Sequence, residues 1–262
     1  MGTPVSQHRS EAAGSVEVTR LSLRTTATGG CRVAGGGGAF RAVQQRVTRH
    51  SARVALVPDR ALLLAGDDVA LEVEVDPGLH LTLVETSGTV AYDMRGGRAS
   101  WSTLFRIGAG ATVVHETLPW VSAAGSDVTR TLHVELGRGG RALMRETLVL
   151  GRHGEEPGRL RTRNHVRREG ADVFVEETDS VDLAPHRVLD QVAAFGEFHP
   201  ASVSPAVPPY VRADAIATHL PPAAPGVTCL ELASGDTLWR RLDEQAHVAA
   251  AGLDRIFCAL RD

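Results

Sequence analysis

The first residues in this chain whose types suggest chemistry are His115 and Glu116, which open like the zinc-binding motif HExxH. In that motif two histidines lie on one face of a helix, and Pro119 stands where the second histidine belongs. Because proline fits poorly inside a helix, the motif is not completed. A metal-dependent hydrolase on an all-β scaffold, using His115, Glu116 and His133, stays open as an alternative function.

A second candidate is the polar connection GRHGEEPG at residues 151–158, which follows the apolar run 148–150. Glu155 and Glu156 could hold a cation. Adjacent residues in a turn usually point apart, so solvated charge is the simpler interpretation. We find no catalytic dyad in this connection.

Lysine is absent, because all 28 basic residues are arginine. This excludes a lysine Schiff base, a lysine general base and a Walker-A lysine. The glycine run at residues 35–38 therefore cannot complete a phosphate-binding GxxxxGK[ST] loop. The sequence also contains no GxSxG elbow, which disfavours a serine hydrolase.

Composition sets further bounds. A chain of 262 residues can bury a sizeable core, and a net charge of -3 gives no electrostatic footprint for nucleic acid or an anionic membrane. Cys31, Cys229 and Cys258 are far apart and suggest no disulfide framework. No apolar run is long enough to span a bilayer. We expect a soluble, cytoplasmic protein.

Period-two patterning dominates the middle of the chain. Val69, Leu71, Val73 and Val75 alternate with polar or small residues, as in a half-buried strand. Similar patterns predict strands at residues 79–83, 101–107, 112–115, 128–136, 142–150, 160–168 and 172–178. Many short strands without intervening helices predict an all-β dominated fold, a many-stranded sandwich or β-solenoid-like scaffold.

The two ends of the chain differ from this middle. Residues 1–15 are small and polar and are expected to form a disordered tail before a β-rich body at 16–183. Residues 184–235 are expected to form a Pro-rich irregular region with short strands. From Asp236 as N-cap, the spacing predicts a C-terminal amphipathic helix over 236–262, packed on the body. Its apolar face comprises Trp239, Leu242, Ala246, Ala249, Leu253, Ile256, Phe257 and Leu260.

Four motifs in order resemble the UreD/UreH family of urease accessory proteins. The family's GGD-type turn and the Thr- and Tyr-containing stretch after it are similar to 62–92, and its Pro-containing segment is similar to 113–127. Its GR-x-x-GE turn resembles 151–155, and its C-terminal helix resembles 239–262. The matching positions are Gly66, Asp67, Thr86, Gly88, Tyr92, Pro119, Gly125, Gly151, Arg152, Gly154 and Glu155.

The resemblance covers roughly residues 60–262, with two departures. The usual glycine-rich approach to the aspartate is reduced to LLLAGDD, and the lysine that often precedes the family's tyrosine is absent. Residues 1–58 show little that can be aligned.

The resemblance implies a maturation chaperone rather than an enzyme. Proteins of this type join the urease apoprotein to the accessory protein UreF and, through it, to the GTPase UreG. They are proposed to pass nickel through an internal polar tunnel. We therefore expect no tightly bound cofactor, transient Ni²⁺, and no nucleic-acid or membrane partner. The candidate nickel-path residues are Asp67, Thr86, Ser87, Glu146, Glu155 and Glu176.

Among these candidates Glu146 stands out, because it shares the parity of apolar residues on a strand expected to be buried. Two rival classes remain open beside the chaperone. One is the hydrolase described above, and the other is a generic interaction scaffold without metal traffic.

Overall fold

The computed structural model describes residues 16–60, 62–198 and 225–261. Across these residues, alternating apolar and polar side chains form strands almost throughout. In chain order the elements are β1 (Glu17–Thr25), β2 (Cys31–Gly36), β3 (Phe40–Val47), β4 (Ser51–Pro58), β5 (Leu62–Leu63), β6 (Asp68–Val75), β7 (His80–Glu85), β8 (Thr89–Ala91), β9 (Ala99–Ile107), β10 (Thr112–Glu116), β11 (Trp120–Ser122), β12 (Asp127–Leu136), β13 (Arg141–Leu150), β14 (Arg159–Arg168), β15 (Ala171–Asp179), a 3₁₀ turn (Ser180–Leu183), β16 (Val188–Phe195), β17 (Val227–Glu231), β18 (Thr237–Asp243) and α1 (Ala246–Arg261).

The strands of the described ranges form two sheets that the chain visits in turn. The first has seven strands in the order β15-β14-β12-β9-β6-β1-β2. The second has eleven, with the main order β17-β18-β16-β13-β10-β7-β4-β3 and the short strands β5, β8 and β11 beside it. Neighbouring strands of successive coils, such as β6 and β9 or β7 and β10, run parallel. The predicted β-solenoid-like scaffold is thus confirmed.

Stacked turns hold the successive coils in register. Gly78, Gly110 and Gly139 each have positive φ, of 71°, 62° and 66°, where a residue without a Cβ is favoured. The amide of Gly78 donates to the carbonyl of Ala109 at 2.9 Å, and that of Gly110 donates to Arg138 at 2.9 Å. Because the turns repeat, inward-facing side chains of equivalent strands lie side by side.

The core lies between the two sheets. Inward residues of both sheets, including Leu71, Leu83 and Phe105, are almost completely buried there. A second apolar cluster lies outside the second sheet, where Leu253, Ile256 and Phe257 of α1 cover it. Burial of these side chains in two places stabilises the body and the helix together.

The C-terminal helix begins later than the sequence pattern predicts, at Ala246 instead of just after Asp236. Residues Thr237–Asp243 form β18, which pairs with both β16 and β17, and this ladder overrides the helical spacing of Trp239 and Leu242. The carboxylate of Asp236 does not cap a helix. It accepts from the backbone amide of Gly196 at 2.7 Å and pairs with Arg168 at 2.6 Å.

The segment predicted as irregular, 184–235, also contains more regular structure than expected. Its strand β16 lies between β13 and β18 in the second sheet, because its alternating residues serve both the inter-sheet core and the helix cluster. The tail predicted at 1–15 and the proline-rich stretch 199–224 lie outside the described residues.

An ion-pair cluster fastens α1 to the sheet. Asp190 of β16 is fully buried and accepts hydrogen bonds from Thr147 Oγ1 at 2.7 Å and Arg145 Nη2 at 3.2 Å. The same guanidinium reaches Asp254 of the helix at 2.5 Å. Burial raises the pKa of Asp190, and the Arg145 charge and the Thr147 hydroxyl oppose that rise. Within the described part of the chain, no helix is long and apolar enough to cross a membrane.

Candidate functional site

The inner face of the second sheet is apolar at one level of its strands and polar at the next inward position, two residues further along each strand. Leu83, Met144, Ala193 and Leu238 form an apolar row, and the next inward residue of each strand is polar. The register places Glu146 of β13 opposite Gln191 of β16. It places Gln191 opposite Arg240 of β18, and Glu85 ends β7 at the same level.

The first sheet presents polar side chains toward the same level. Arg130 of β12 and Glu176 of β15 point inward, and Thr103, Thr162 and Asn164 near them are buried. We call the polar layer the set Glu85, Arg130, Glu146, Glu176, Gln191 and Arg240. Buried polar groups are costly unless they are paired, so the partners of these residues decide what the layer can do.

A continuous chain of contacts connects four members of the polar layer. Gln191 Nε2 donates to Glu146 Oε2 at 2.9 Å, and Arg240 Nη2 donates to Gln191 Oε1 at 2.8 Å. Arg240 also binds Glu176 with two hydrogen bonds, at 2.9 and 2.8 Å. The layer therefore joins a carboxylate of one sheet to a carboxylate of the other through an amide and a guanidinium.

Arg130 pairs with the second carboxylate oxygen of Glu146, the one that Gln191 does not bind. Its Nη1 lies 2.5 Å from Glu146 Oε1, an ion pair whose angles are outside hydrogen-bond geometry, so the buried Nη1 and Nε of Arg130 lack hydrogen-bond partners. The guanidinium lies over the Trp120 ring, 5.0 Å from its centroid. A cation–π contact partly replaces the missing acceptors.

A cavity of about 60 Å³ separates the sheets at this level. Its lining includes Glu85, His115, Arg130, Glu146 and Gln191, together with apolar side chains of both sheets. A water needs about 10–15 Å³ and two or more polar partners, so this cavity has room for a few water molecules beside its polar side chains.

The structure brings two of the six predicted path residues together. Glu146 and Glu176 both belong to the polar layer and are connected through Gln191 and Arg240. The prediction that Glu146 faces the interior follows from strand parity, and its side chain is 21% exposed and lines the cavity.

The other four candidates lie in or beside turns. Asp67 pairs with Arg60 and accepts from the Leu64 amide at 2.7 Å. The hydroxyl of Thr86 donates to the Leu56 carbonyl at 3.1 Å, and Ser87 follows it in the bend between β7 and β8. These contacts give Asp67 and Thr86 local structural roles, and neither lines the cavity.

The GR-x-x-GE turn owes its shape to its own residues. Gly151 and Gly154 have positive φ, of 81° and 78°. Arg152 pairs with Glu155, and this hydrogen-bonded ion pair lowers the pKa of the Glu155 carboxyl. Glu155 also accepts from the amide of Ala124 at 3.4 Å. The motif therefore fastens the turn after β13 to the coil below, away from the cavity.

The residues proposed for a hydrolase do not converge. His115 faces the inter-sheet cavity, whereas Glu116 on the opposite face of β10 pairs with Arg261 of α1 at 3.2 Å. His133 lies on the outer face of the first sheet and contacts the His165 ring, with 4.6 Å between the centroids. Within the described residues, no three His, Cys, Asp or Glu side chains are placed to hold a metal together.

Sequence reasoning missed four of the six residues of the polar layer, namely Glu85, Arg130, Gln191 and Arg240. For Glu85 a signal was present, since it continues the inward parity of Leu81 and Leu83 by one more step. For Gln191 and Arg240 the signal was hidden, because their segments were interpreted as irregular chain and as helix.

The amino-acid sequence of the chain is similar to that of one known protein family. Residues 38–262 match the family model described as UreD urease accessory protein. The chain is 46% identical over 162 residues to a protein named urease accessory protein UreD 1 from Streptomyces griseus, covering 58% of this chain and 64% of that protein. It is 32% identical over 163 residues to UreD 2 of Saccharopolyspora erythraea, covering 61% of this chain and 56% of that protein. A UreD of Streptomyces avermitilis is 32% identical over 235 residues, with 81% of this chain and 93% of that protein covered.

Proposed function

This chain belongs to the UreD family of urease accessory proteins, and we propose that it acts in urease maturation as a non-catalytic chaperone that helps nickel reach the urease apoprotein. In this proposal it joins the apoprotein to UreF-type and UreG-type accessory proteins in the cytoplasm. Ni²⁺ is its transient cargo and not a resident cofactor.

The observation that carries the proposal is the polar layer. Two carboxylates from opposite sheets, Glu146 and Glu176, lie on one connected set of polar side chains beside a cavity. Such a set is unusual in an otherwise apolar β interior unless the groups have a task. Carboxylate oxygens offer ligands to a divalent cation without binding it as firmly as thiolates would.

The arginines of the polar layer favour the passage of a weakly bound cation over its tight storage. Arg130 pairs with Glu146, and Arg240 pairs with Glu176. A cation approaching either carboxylate must compete with a guanidinium, which weakens its binding. Each pair also neutralises a buried carboxylate once the cation has left, so the empty path does not leave an isolated charge.

The chain's composition agrees with a division of labour among partners. Without lysine it has no Walker-A residue, so in this proposal nucleotide hydrolysis belongs to the UreG-type GTPase. Its small net charge of -3 supports protein partners in preference to nucleic acid or a membrane.

The test compares Glu146→Ala with Glu135→Ala in a host that lacks its own UreD. Glu135 lies on the outer face of β12 and pairs with Arg106 at 3.4 Å, so its replacement leaves the polar layer intact. We expect both variants to fold and to co-purify with UreF and UreG. Only Glu146→Ala is expected to lower the nickel content and activity of urease.

Two outcomes would count against the proposal. Full nickel loading by Glu146→Ala would remove Glu146 from the path. Full loading by a Glu146→Ala/Glu176→Ala variant that still assembles with its partners would favour the generic scaffold without metal traffic.

A further inference from the structure

A row of aliphatic side chains crosses the outer face of the second sheet, away from the cavity. The strand register pairs Leu62 with Val90 and Val90 with Val121. It also pairs Val121 with Val149, so the row runs over the four neighbouring strands β5, β8, β11 and β13. All four side chains are partly exposed, whereas Leu63, which points inward beside them, is 1% exposed.

Three more apolar side chains widen this row. Leu64 is 43% exposed, and Tyr92 and Leu118 are each 39% exposed. Leu64 and Tyr92 lie two residues beyond Leu62 and Val90, so they continue the same outward parity. We call these seven residues the outer patch. Exposed apolar side chains that are grouped in this way mark protein interaction sites more often than scattered ones do.

The other half of the same sheet face shows what kind of element covers such a row. There α1 packs on β13, β16 and β18. Val114 and Leu143 are register partners beneath it and are 1% and 0% exposed. The helix meets the sheet with an apolar face that includes Leu253, Ile256 and Phe257. This sheet therefore accepts an amphipathic helix that lies across its strands.

The outer patch has the dimensions of a second helix site. Neighbouring strands lie about 4.8 Å apart, so a row over four strands spans about 14 Å. A helix rises 1.5 Å per residue, and roughly ten residues, or three turns, cover that length. Strand β13 passes through both areas, because Leu143 lies under α1 and Val149 belongs to the outer patch.

Charges beside the two areas are also similar. Asp254 of α1 reaches Arg145 of the sheet at 2.5 Å. At the outer patch, Arg95 lies in the turn after β8, is exposed and forms no ion pair among the described residues. The guanidinium of Arg152 lies over the Tyr92 ring, 5.4 Å from its centroid. A helix that carries a carboxylate near one end would complement these cations.

We propose that the outer patch docks an amphipathic helix of a protein partner, with aliphatic side chains on one face and a carboxylate near one end. This is the helix-on-apolar-surface mode of recognition, in which side chains three and four residues apart provide the contacts. The proposal rests on the proposed function in one respect, namely that the chain works while bound to protein partners. It involves neither the cavity nor the polar layer.

The experiment measures the dissociation constants of the full chain for the UreF-type accessory protein and for the urease apoprotein of the same genome, each separately. The patch variants are Leu64→Asp and Val121→Asp. Matched controls are Leu230→Asp on β17 and Val43→Asp on β3, the same residue types at positions that are 40% and 48% exposed. We expect each patch variant to weaken the binding of one partner at least about tenfold. Each control is expected to leave both dissociation constants within about twofold of the wild-type values.

A second measurement identifies the occupant. A photo-crosslinking amino acid replaces Tyr92, and the crosslinked residues of the bound partner are mapped by mass spectrometry. We expect them to be three or four residues apart, as on one face of a helix. Crosslinks to residues two apart would indicate a strand, and crosslinks to a second copy of this chain would indicate self-association. Either result would overturn the proposed occupant.

Folding of every variant is checked by near-ultraviolet circular dichroism, and Leu64→Asp keeps the test decisive if Val121→Asp does not fold. Wild-type affinity for both partners in the folded patch variants would overturn the docking site. This result is separable from the nickel-path test. Weakened binding by Val121→Asp together with full urease loading by Glu146→Ala would refute the path and keep the docking site, and the reverse pattern would refute the docking site alone.

Discussion

Replacing the Arg130–Glu146 pair by Met and Gln tests why the interior is polar. The two side chains are 16% and 21% exposed, and Arg130 already lacks hydrogen-bond partners at two nitrogens. Breaking a buried pair costs about 3–5 kcal/mol. Because both groups keep some exposure, we expect each single variant, Arg130→Met or Glu146→Gln, to lose about 2–3 kcal/mol of unfolding free energy. The double variant restores neutrality and keeps an acceptor for Gln191, so it is expected to lose about 1 kcal/mol or less.

The assay is urea unfolding followed by tryptophan fluorescence for the four members of the double-mutant cycle. The expected coupling energy is about 3–5 kcal/mol. The control cycle uses Arg106→Met and Glu135→Gln, an outer-face pair that is 50% and 47% exposed, and its coupling is expected to be about 0–1 kcal/mol. Equal coupling in the two cycles would refute the reasoning that the Arg130–Glu146 pair is shielded from solvent and therefore interacts more strongly than the exposed pair. A stable double variant that fails to load urease would show that the pair is retained for function and not for stability.

Further predictions concern the scaffold. Asp190→Ala leaves Arg145 without its buried partner. We expect it to lower the unfolding free energy by about 3–5 kcal/mol in urea titrations. A loss under about 1 kcal/mol would contradict the burial of this ion pair. Because burial raises the folded-state pKa of Asp190, protonation of Asp190 favours the folded state, and this contribution is fully present below the unfolded-state pKa and is lost as the pH rises through the folded-state pKa. Wild type should therefore gain stability relative to Asp190→Asn as the pH falls from 7 toward about 4, and parallel stability–pH curves would refute this. Gly88→Ala would place a Cβ 2.4 Å from the Pro119 carbonyl oxygen, so we expect a loss of about 1–3 kcal/mol, whereas an unchanged urea midpoint would mean that this contact relaxes freely.

The sequence predicts the β-rich middle well, because its apolar residues keep a strict period of two. The strand predicted at 128–136 is observed as Asp127–Leu136, and that at 142–150 as Arg141–Leu150. Glu146 was a candidate through the family resemblance, and inward parity singled it out among the six candidates. The first four strands, from Glu17 to Pro58, were predicted only as part of a β-rich body and were not placed individually, although the family model already matches from residue 38.

What the sequence could not supply is the pairing between strands distant along the chain. Arg240 was assigned to a helix, because nothing local reveals the ladder that β18 makes with β16. Its partner Glu176 is 64 residues away, and Gln191 between them lies on a strand that was interpreted as irregular. Two motif positions predicted as path residues, Asp67 and Glu155, have carboxylates that accept hydrogen bonds from the backbone amides of Leu64 and Ala124, contacts that the sequence alone did not reveal.

The most direct test of the central claim is the nickel content per urease active site in a host that lacks its own UreD and carries either this chain or its Glu146→Gln variant. Co-purification with UreF and UreG is measured in parallel, so that assembly and delivery are separated. The account predicts nickel-loaded, active urease with the wild-type chain and nickel-poor urease with Glu146→Gln despite intact assembly. Equal nickel content with both chains would contradict the claim that Glu146 takes part in nickel delivery.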